Sequence, residues 1–210
     1  MYRRRSRKEF HLVYGKEKKK ITPEMVKEIM SWIFYTIVAV IMAYIVYLGF
    51  GKSVQNIGDS MVPALQPGCN VLINRFSTYF SGPGRGDIVA FLPNGNTQTH
   101  YYIKRVVGLP GEKVRIDNGV LYINGKEQEL DTEAYDKMEE AGIADTEIKL
   151  GSDEYFVLGD NRNSSEDSRS ANIGLVRDDM ILGKVWYSYG NADGSSGFVH
   201  NNYLEEVPAE

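Results

Sequence analysis

The dominant feature of the hydropathy pattern is one long apolar run near the N-terminus. Residues 29–51 include 23 consecutive positions without a charged side chain. A helix of this length extends about 34 Å, which is enough to cross the hydrocarbon core of a bilayer. We therefore predict a helix over residues 22–30, with Thr22 as its cap and Pro23 in its first turn, that continues into a single membrane span.

Two other interpretations of this run fit less well. A buried core helix is possible, but uncharged stretches of this length are typical of membrane spans. A cleaved signal sequence is disfavoured because the basic region before the run extends over 28 residues and no Ala-X-Ala-like site follows at residues 49–54. We interpret residues 29–51 as an uncleaved transmembrane anchor.

Beyond the anchor, short β-branched and aromatic runs alternate with Gly, Pro and Asn. Asn118 and Gly119 join two such runs as a tight hairpin. One helix is predicted at residues 132–141. The pattern predicts a mainly β fold of antiparallel sheets, coiled or forming a partly open barrel, within residues 52–210. The predicted strands are residues 54–57, 70–74, 87–92, 99–107, 113–116, 120–123, 154–158 and 180–189.

The charge distribution predicts the orientation of the anchor. The net charge is −4, yet residues 1–28 contain ten Lys or Arg and four Glu, which leaves 14 Lys or Arg and 24 Asp or Glu for the rest. Basic flanks stay on the cytoplasmic side, so residues 1–28 are a cytoplasmic tail and residues 52–210 an extracytoplasmic domain of the cell membrane. The tail then faces anionic membrane lipid, which makes nucleic acid the minor alternative partner.

Cysteine and histidine usage limits the possible chemistry. Cys69 is the only cysteine, which excludes an intrachain disulfide and a cysteine-rich metal site. The three histidines are scattered, and none lies at metal-ligand spacing from another. We expect no metal and no other cofactor.

Two segments contain a candidate nucleophile and a candidate base. Residues 58–65 (GDSMVPAL) place Ser60 in a turn, although serine is common in turns of no function. Residues 102–112 (YIKRVVGLPGE) place Lys104 in a strand pattern, where alternation directs Lys104 and Arg105 to opposite faces. Burial among apolar neighbours would lower the pKa of Lys104 and make it a competent base, whereas the alternative is an ordinary exposed lysine.

A third segment, residues 159–169 (GDNRNSSEDSR), combines acids, arginines and hydroxyls directly after an apolar strand. A solvated loop is the simplest interpretation, but it does not explain why arginines alternate with acids. Networks of this composition hold catalytic side chains in position.

In this order, and behind an anchor, the three segments resemble bacterial type I signal peptidase. The resemblance covers about residues 54–189, includes residues 86–91 (GDIVAF), and is greatest for the short Gram-positive forms. It implies a domain of coiled antiparallel sheets. It also implies a membrane-anchored serine endopeptidase that cleaves signal peptides of exported preproteins after Ala-X-Ala through an acyl-enzyme, close to the secretion machinery and without a cofactor.

The resemblance implies a role for each matching residue. Ser60 corresponds to the nucleophile, Lys104 to the general base and Ser165 to the hydroxyl that orients the lysine amine. The oxyanion hole involves the backbone of Ser60 and the position of Gly58, where some relatives carry a serine. The residues expected to support the dyad are the ion pairs Asp167–Arg169 and Asp160–Arg105. The positions expected to bind substrate are Ile57, Met61, Leu65, Tyr102 and Ile103.

Three alternatives remain at this level. Eukaryotic and archaeal relatives use histidine as the base, which makes His100 the rival of Lys104. A self-cleaving repressor shares Ser-Lys chemistry, but it carries a DNA-binding module where this chain has its anchor. An inactive surface-anchored binding domain would keep the β framework without needing Ser60, Lys104 and Ser165 together.

Two further stretches have no settled role in the sequence. The aromatic residues Phe76, Tyr79 and Phe80 either contact the outer leaflet of the membrane or pack internally. Residues 125–153 contain no recognisable functional motif.

Overall fold

The computed structural model describes residues 22–95 and 100–199. The described residues divide into two compact units, with the boundary between Ala43 and Tyr44. Helix α1 (Pro23–Phe50) begins in the first unit, and Pro23 lies in its first turn, as predicted. The hydroxyl of Thr22, the predicted cap, accepts a hydrogen bond of 3.4 Å from the N–H of Met25. By length and composition α1 could cross a membrane, with a mean hydropathy of 2.2 in its most apolar window. Residues 1–21 of the expected basic tail lie outside the described residues.

The second unit is mainly antiparallel β-sheet, which confirms the predicted fold class. Two further helices, α2 (Arg75–Ser81) and α3 (Glu129–Ala134), accompany the strands. The strands in the described residues are β1 (Lys52–Gln55), β2 (Asn70–Asn74), β3 (Ile88–Phe91), β4 (Tyr102–Gly108), β5 (Lys113–Asp117), β6 (Val120–Ile123), β7 (Lys126–Glu127), β8 (Ile148–Lys149), β9 (Glu154–Leu158), β10 (Val176–Arg177), β11 (Ile181–Tyr189) and β12 (Gly197–Phe198).

The larger sheet has the order β1-β2-β11-β3-β4-β9-β10, with β12 paired to β11. Three strands separate β1 from β4, yet Val54 of β1 and Ile103 of β4 belong to one buried core. The sheet therefore curls, and its concave face brings the chain after β1 close to β4. Buried apolar side chains from five strands fill this face, and their burial is the main force that holds the curl.

The smaller sheet has the order β7-β6-β5-β8 and packs its own core. The predicted hairpin is present between β5 and β6, where Asp117 pairs with Val120. Asn118 and Gly119 occupy the left-handed region, with φ of 50° and 79°, as a two-residue turn of this kind requires. Phe156 of β9 belongs to the core of the smaller sheet, so the two sheets share buried side chains.

Most strand predictions are confirmed, and three of them, β2, β6 and β9, have the expected bounds. The first strand begins two residues earlier than predicted and ends at Gln55. Beyond it, the backbone of Asn56 still hydrogen-bonds that of Gly68 and Cys69, and the Asn56 side chain donates to the carbonyl oxygen of Gln66 at 3.0 Å. Residue 99, where a strand was predicted to begin, lies outside the described residues. The two-residue strands β7, β8, β10 and β12 are too short to show alternation in the sequence.

The helix prediction at residues 132–141 is wrong in its bounds. Helix α3 ends at Ala134, and Tyr135 is extended, with φ −131° and ψ 154°. Tertiary contacts override helix propensity here. The ring of Tyr135 packs 4.1 Å from the guanidinium carbon of Arg162, and the N–H of Met138 donates to the carbonyl oxygen of Gly119 at 3.1 Å.

Helix α2 was not predicted, although Asn74 caps it by accepting a hydrogen bond of 3.1 Å from the N–H of Ser77. The sequence left two environments open for its aromatic residues, internal packing and contact with the outer leaflet. Phe76 packs internally against Phe50, with ring centroids 5.7 Å apart. Tyr79 and Phe80 are 84% and 79% exposed.

Candidate active site

Ser60 lies in the turn that follows β1 and is half-buried. This turn is fixed from inside by the N–H of Val62, which donates to the carbonyl oxygen of Asp59 at 3.0 Å. It is fixed from outside by the N–H of Asn161, which donates to the carbonyl oxygen of Ser60 at 3.0 Å. The position of the serine therefore depends on the loop at residues 159–169 as well as on its own turn.

Lys104 reaches Ser60 from strand β4, across the curled sheet. Its Nζ donates a hydrogen bond of 2.6 Å to Ser60 Oγ, across 44 positions of sequence. The lysine is only 3% exposed. The structure thus brings together the two residues expected to be nucleophile and base.

The environment of Lys104 favours a neutral amine. Burial lowers its pKa from 10.5 to about 8, because the ammonium loses hydration. The nearby carboxylates of Asp167, Glu166 and Asp160 act in the opposite direction, and the guanidinium of Arg169 lowers the pKa further. A neutral lysine this close to a hydroxyl can accept its proton.

Arg105 points away from Lys104, as the strand alternation predicts. It donates two hydrogen bonds of 2.7 Å to the carboxylate of Asp160 and a third of 2.7 Å to the carbonyl oxygen of Gly86. Both members of the ion pair are buried. This bidentate pair fastens the beginning of the 159–169 loop to the strand that carries Lys104.

A second ion pair organises the same loop from within. Arg169 donates hydrogen bonds of 2.9 Å to each carboxylate oxygen of Asp167. Asp167 also accepts a hydrogen bond of 3.1 Å from the N–H of Gly159. Since Gly159 immediately precedes Asp160, the two ion pairs act on adjacent residues of the loop.

Ser165 contacts this region but makes no bond to the amine. Its hydroxyl is buried and has no hydrogen-bond partner among the described residues. It packs against Gly159, where an added Cβ would meet both Ser165 Oγ and the carbonyl oxygen of Ser60. The structure therefore places Ser165 beside the Ser60 turn without the expected contact to Lys104.

The sequence did not indicate one buried ion pair at this site. Asp131 of α3 accepts hydrogen bonds of 2.5 and 2.6 Å from Arg162, and both side chains are buried. Arg162 also donates to the carbonyl oxygen of Gly159 at 3.1 Å. The available signal was Arg162 itself, the first arginine of the 159–169 segment, because a buried arginine needs a carboxylate partner.

A small cleft of about 160 Å³ exposes the dyad. Of the residues expected to bind substrate, Ile57, Tyr102 and Ile103 line this cleft together with Ser60 and Lys104. Met61 and Leu65 do not line it, because both are buried in the core of the larger sheet.

His100, the alternative base, lies on the wall of the same cleft and is exposed. Its ring stacks on that of Tyr102, with centroids 5.1 Å apart. In the described part of the chain it makes no hydrogen bond to Ser60, whose hydroxyl is instead bonded to Lys104.

Gly58 and the backbone of Ser60 form the side of the turn where an oxyanion hole was expected. Gly58 has a φ of +83°, which side-chain-bearing residues rarely adopt, and an added Cβ would face open space. This backbone conformation accounts for a glycine at position 58. The N–H of Ser60 has no acceptor among the hydrogen bonds of the described residues.

The sequence model of the family described as "Signal peptidase, peptidase S26" matches residues 29–189. The chain belongs to this family. It is 35% identical over 179 residues to signal peptidase IB of Staphylococcus aureus. The matched region covers 79% of this chain and 91% of that relative. It is 34% identical over 160 residues to signal peptidase I T of Bacillus subtilis, covering 73% and 81% of the two chains.

A solved signal peptidase I from Enterococcus faecalis is 30% identical, with a TM-score of 0.37, and covers 49% of this chain and 95% of that one. Family membership makes the chain a bacterial type I signal peptidase, and hence a serine endopeptidase. Within residues 22–95 and 100–199, no group of three or more His, Cys, Asp or Glu is arranged to hold a metal ion.

Proposed function

We propose that this signal peptidase is anchored in the cell membrane and cleaves signal peptides after Ala-X-Ala, with Ser60 as nucleophile and Lys104 as general base. One observation carries the proposal. The Nζ atom of Lys104 lies 2.6 Å from Ser60 Oγ, and the lysine is 3% exposed. An exposed ammonium could not act as a base near neutral pH, whereas a buried amine with a lowered pKa can.

Acylation begins when Ser60 Oγ attacks the carbonyl carbon of the scissile bond. Lys104 accepts the hydroxyl proton and delivers it to the leaving amine of the mature protein, which departs as the peptide bond breaks. The signal peptide remains as an ester on Ser60.

In deacylation, a water molecule attacks this ester while Lys104 accepts a proton from the water. The lysine then protonates Ser60 Oγ as the product leaves as a carboxylic acid, which loses its proton to the solvent. Both half-reactions return the amine to its neutral state.

Negative charge on the substrate oxygen requires hydrogen-bond donors. We assign the first donor to the N–H of Ser60, which has no acceptor among the hydrogen bonds of the described residues. The ion pair Arg105–Asp160 fastens the 159–169 loop to the strand that carries Lys104. The ion pair Asp167–Arg169 holds the loop itself in shape beside the dyad. Ser165 makes no bond to the Lys104 amine and packs against Gly159 beside the Ser60 turn, so we assign it to holding that turn in place.

We propose that the substrate binds as an extended strand beside the first residues of β4. The pairing of β4 with β9 begins at Arg105, which leaves this edge of Tyr102–Lys104 without a described partner strand. A free strand edge can pair with an extended peptide, and alternate side chains then enter pockets. The cleft lined by Ile57, Tyr102 and Ile103 is small and partly apolar, which favours side chains such as Ala.

Anchoring follows from helix α1 and the basic residues before it. We assign residues 1–28 to the cytoplasm, residues 29–51 to the membrane and residues 52–210 to the extracytoplasmic side. The exposed rings of Tyr79 and Phe80 are suited to contact with the outer leaflet, near the signal peptides of exported preproteins and the secretion machinery.

The test uses the full chain in detergent micelles with a signal-peptide substrate that contains Ala-X-Ala. Ser60→Ala and Lys104→Ala should each lower kcat by about ten-thousandfold, because neither half of the dyad can act alone. His100→Ala should retain most of the activity. Equal rates for the wild type and Ser60→Ala would exclude the catalytic assignment and favour an inactive binding domain. Loss of activity in His100→Ala but not in Lys104→Ala would identify histidine as the base.

A further inference from the structure

The cleft that contains the dyad also contains one carboxylate. Among the described residues that line it, Glu166 is the only acidic side chain, and it is exposed. The Nδ2 atom of Asn172 donates a hydrogen bond of 3.3 Å to Glu166 Oε1, which holds the carboxylate to its own loop. Glu166 belongs to the 159–169 segment, but none of the interactions that support the dyad involves it.

The carboxylate of Glu166 dominates the charge of the cleft when the dyad is ready to react. Lys104 must be neutral to act as a base. With the amine neutral, the carboxylate of Glu166 is the one negative charge among the described cleft-lining residues. In a cleft of this size, a substrate side chain next to the cleaved bond lies within Coulombic reach of every lining group.

We infer that Glu166 determines charge specificity at this site, so that the enzyme disfavours preproteins with an acidic residue beside the scissile bond and favours those with a basic one. The inference rests on the proposed function, since it concerns the substrates of the same dyad. Like charges at an exposed site repel modestly, so an acidic side chain should slow cleavage by roughly fivefold relative to a neutral one. Salt should weaken the effect because both charges are exposed to solvent.

Glu166 also acts on the base itself. The charged groups that face Lys104 are Asp167, Asp160, Glu166 and Arg169. Asp167 and Asp160 are each bound to an arginine, so Glu166 is the carboxylate that can be neutralised without breaking an ion pair. A carboxylate stabilises the ammonium form, so its removal should move the onset of activity to lower pH.

The experiment compares three peptides that differ at one position beside the cleaved bond, first on its signal side and then on its mature side. The position carries Glu, Gln or Lys. Each peptide is assayed with the full-length wild type, Glu166→Gln and Glu166→Lys in detergent micelles, at about 0.05 M and about 1 M salt. Glu139→Gln is the matched control, because Glu139 is also exposed but does not line this cleft.

On at least one side of the bond, the wild type and Glu139→Gln should cleave the Lys peptide fastest and the Glu peptide slowest. This order should disappear in Glu166→Gln and reverse in Glu166→Lys, and the differences should shrink at high salt. The ratio between peptides is the readout, so a change in overall activity does not affect the conclusion. The acid limb of the pH profile should also move to lower pH in Glu166→Gln.

An unchanged Glu-to-Lys ratio in Glu166→Gln would overturn the inference while leaving the dyad intact, as would equal cleavage of all three peptides by the wild type. Cleavage that persists in Ser60→Ala would instead overturn the proposed function, and the inference with it.

Discussion

The carboxylate of Asp131 accepts two hydrogen bonds, of 2.5 and 2.6 Å, from the guanidinium of Arg162. Asp131 belongs to α3, in the connection between strands β7 and β8 of the smaller sheet, whereas Arg162 lies in the loop beside the dyad. Arg162 in turn bonds the carbonyl oxygen of Gly159, and Asp167 bonds the N–H of the same residue. The peptide groups around Gly159 are thus held from both directions, and one of these restraints begins in a segment without a recognisable motif.

Asp131→Asn should destabilise the protein and lower its activity. The change leaves the buried guanidinium of Arg162 without a countercharge, which typically costs about 3–5 kcal/mol in the free energy of unfolding. Thermal unfolding in detergent, together with the cleavage assay, measures both effects. Asp179→Asn is the control, because its ion pair with Arg177 is exposed and should change stability by less than about 0.5 kcal/mol. Equal stability of the two variants would contradict a structural role for the Asp131 pair.

Gly159→Ala should lower kcat by roughly tenfold or more, because a small displacement of reacting groups is costly. An added Cβ would lie 2.5 Å from Ser165 Cβ and 2.6 Å from the carbonyl oxygen of Ser60, so the serine turn must shift. Steady-state kinetics check this result, and KM should change less than kcat. Gly197→Ala serves as the control, since a Cβ there meets open space. Full activity in Gly159→Ala would show that the packing around Ser165 is not needed.

The pH dependence of kcat/KM should follow the Lys104 amine. Because burial lowers its pKa to about 8, the active neutral form is a minority at pH 7 and predominates above pH 8. The rate should rise about tenfold per pH unit on the acid side and level off above this pKa. A profile measured between about pH 6 and pH 10 tests this expectation. A flat profile across that range would exclude Lys104 as the base that limits the rate.

Lys104→Met should abolish activity and raise stability at neutral pH. The pKa of Lys104 is lower in the folded chain, about 8, than its ordinary value of 10.5. The unfolded chain therefore binds more protons between these values, and stability rises with pH across this window. Below pH 8 the buried ammonium carries its full cost, on the order of 3 kcal/mol, and methionine removes it.

Unfolding measured at about pH 7 and about pH 10.5 tests this expectation. The gain from Lys104→Met should be largest at the lower pH and diminish at the higher pH, where the amine is neutral in the folded chain and half neutral in the unfolded chain. Lys113→Met is the comparison, because that lysine is about half exposed in its ion pair with Glu147 and should change little. If Lys104→Met were less stable than the wild type at pH 7, the buried ammonium would not destabilise the folded chain as expected.

The strand framework could be predicted from the sequence because its signals are local. Residues 70–74 and 154–158 alternate or run apolar between turn residues, and the structure has strands with those bounds. The end of α3 could not be predicted in this way. Residues 135–141 have helical propensity, but Tyr135 leaves the helix to pack on Arg162, a contact that only the folded chain creates.

The same distinction applies to the site. Strand alternation predicted that Lys104 and Arg105 point in opposite directions, since this depends only on the pleat. The contact between Lys104 and Ser60 spans 44 positions, and that between Arg162 and Asp131 spans 31. Only the resemblance to a family suggested the first of these contacts. The second had no such guide, because a buried arginine does not reveal from the sequence which carboxylate will reach it.

The hydrogen bond from the N–H of Asn161 to the carbonyl oxygen of Ser60 joins the serine turn to the 159–169 loop, so the two should open and close together. Any fluctuation that loosens residues 159–169 must also release the serine. Inactivation by mild denaturant should then coincide with deuterium uptake at the Asn161 amide, well before the sheets melt. The site would fail as a unit, in a single local opening.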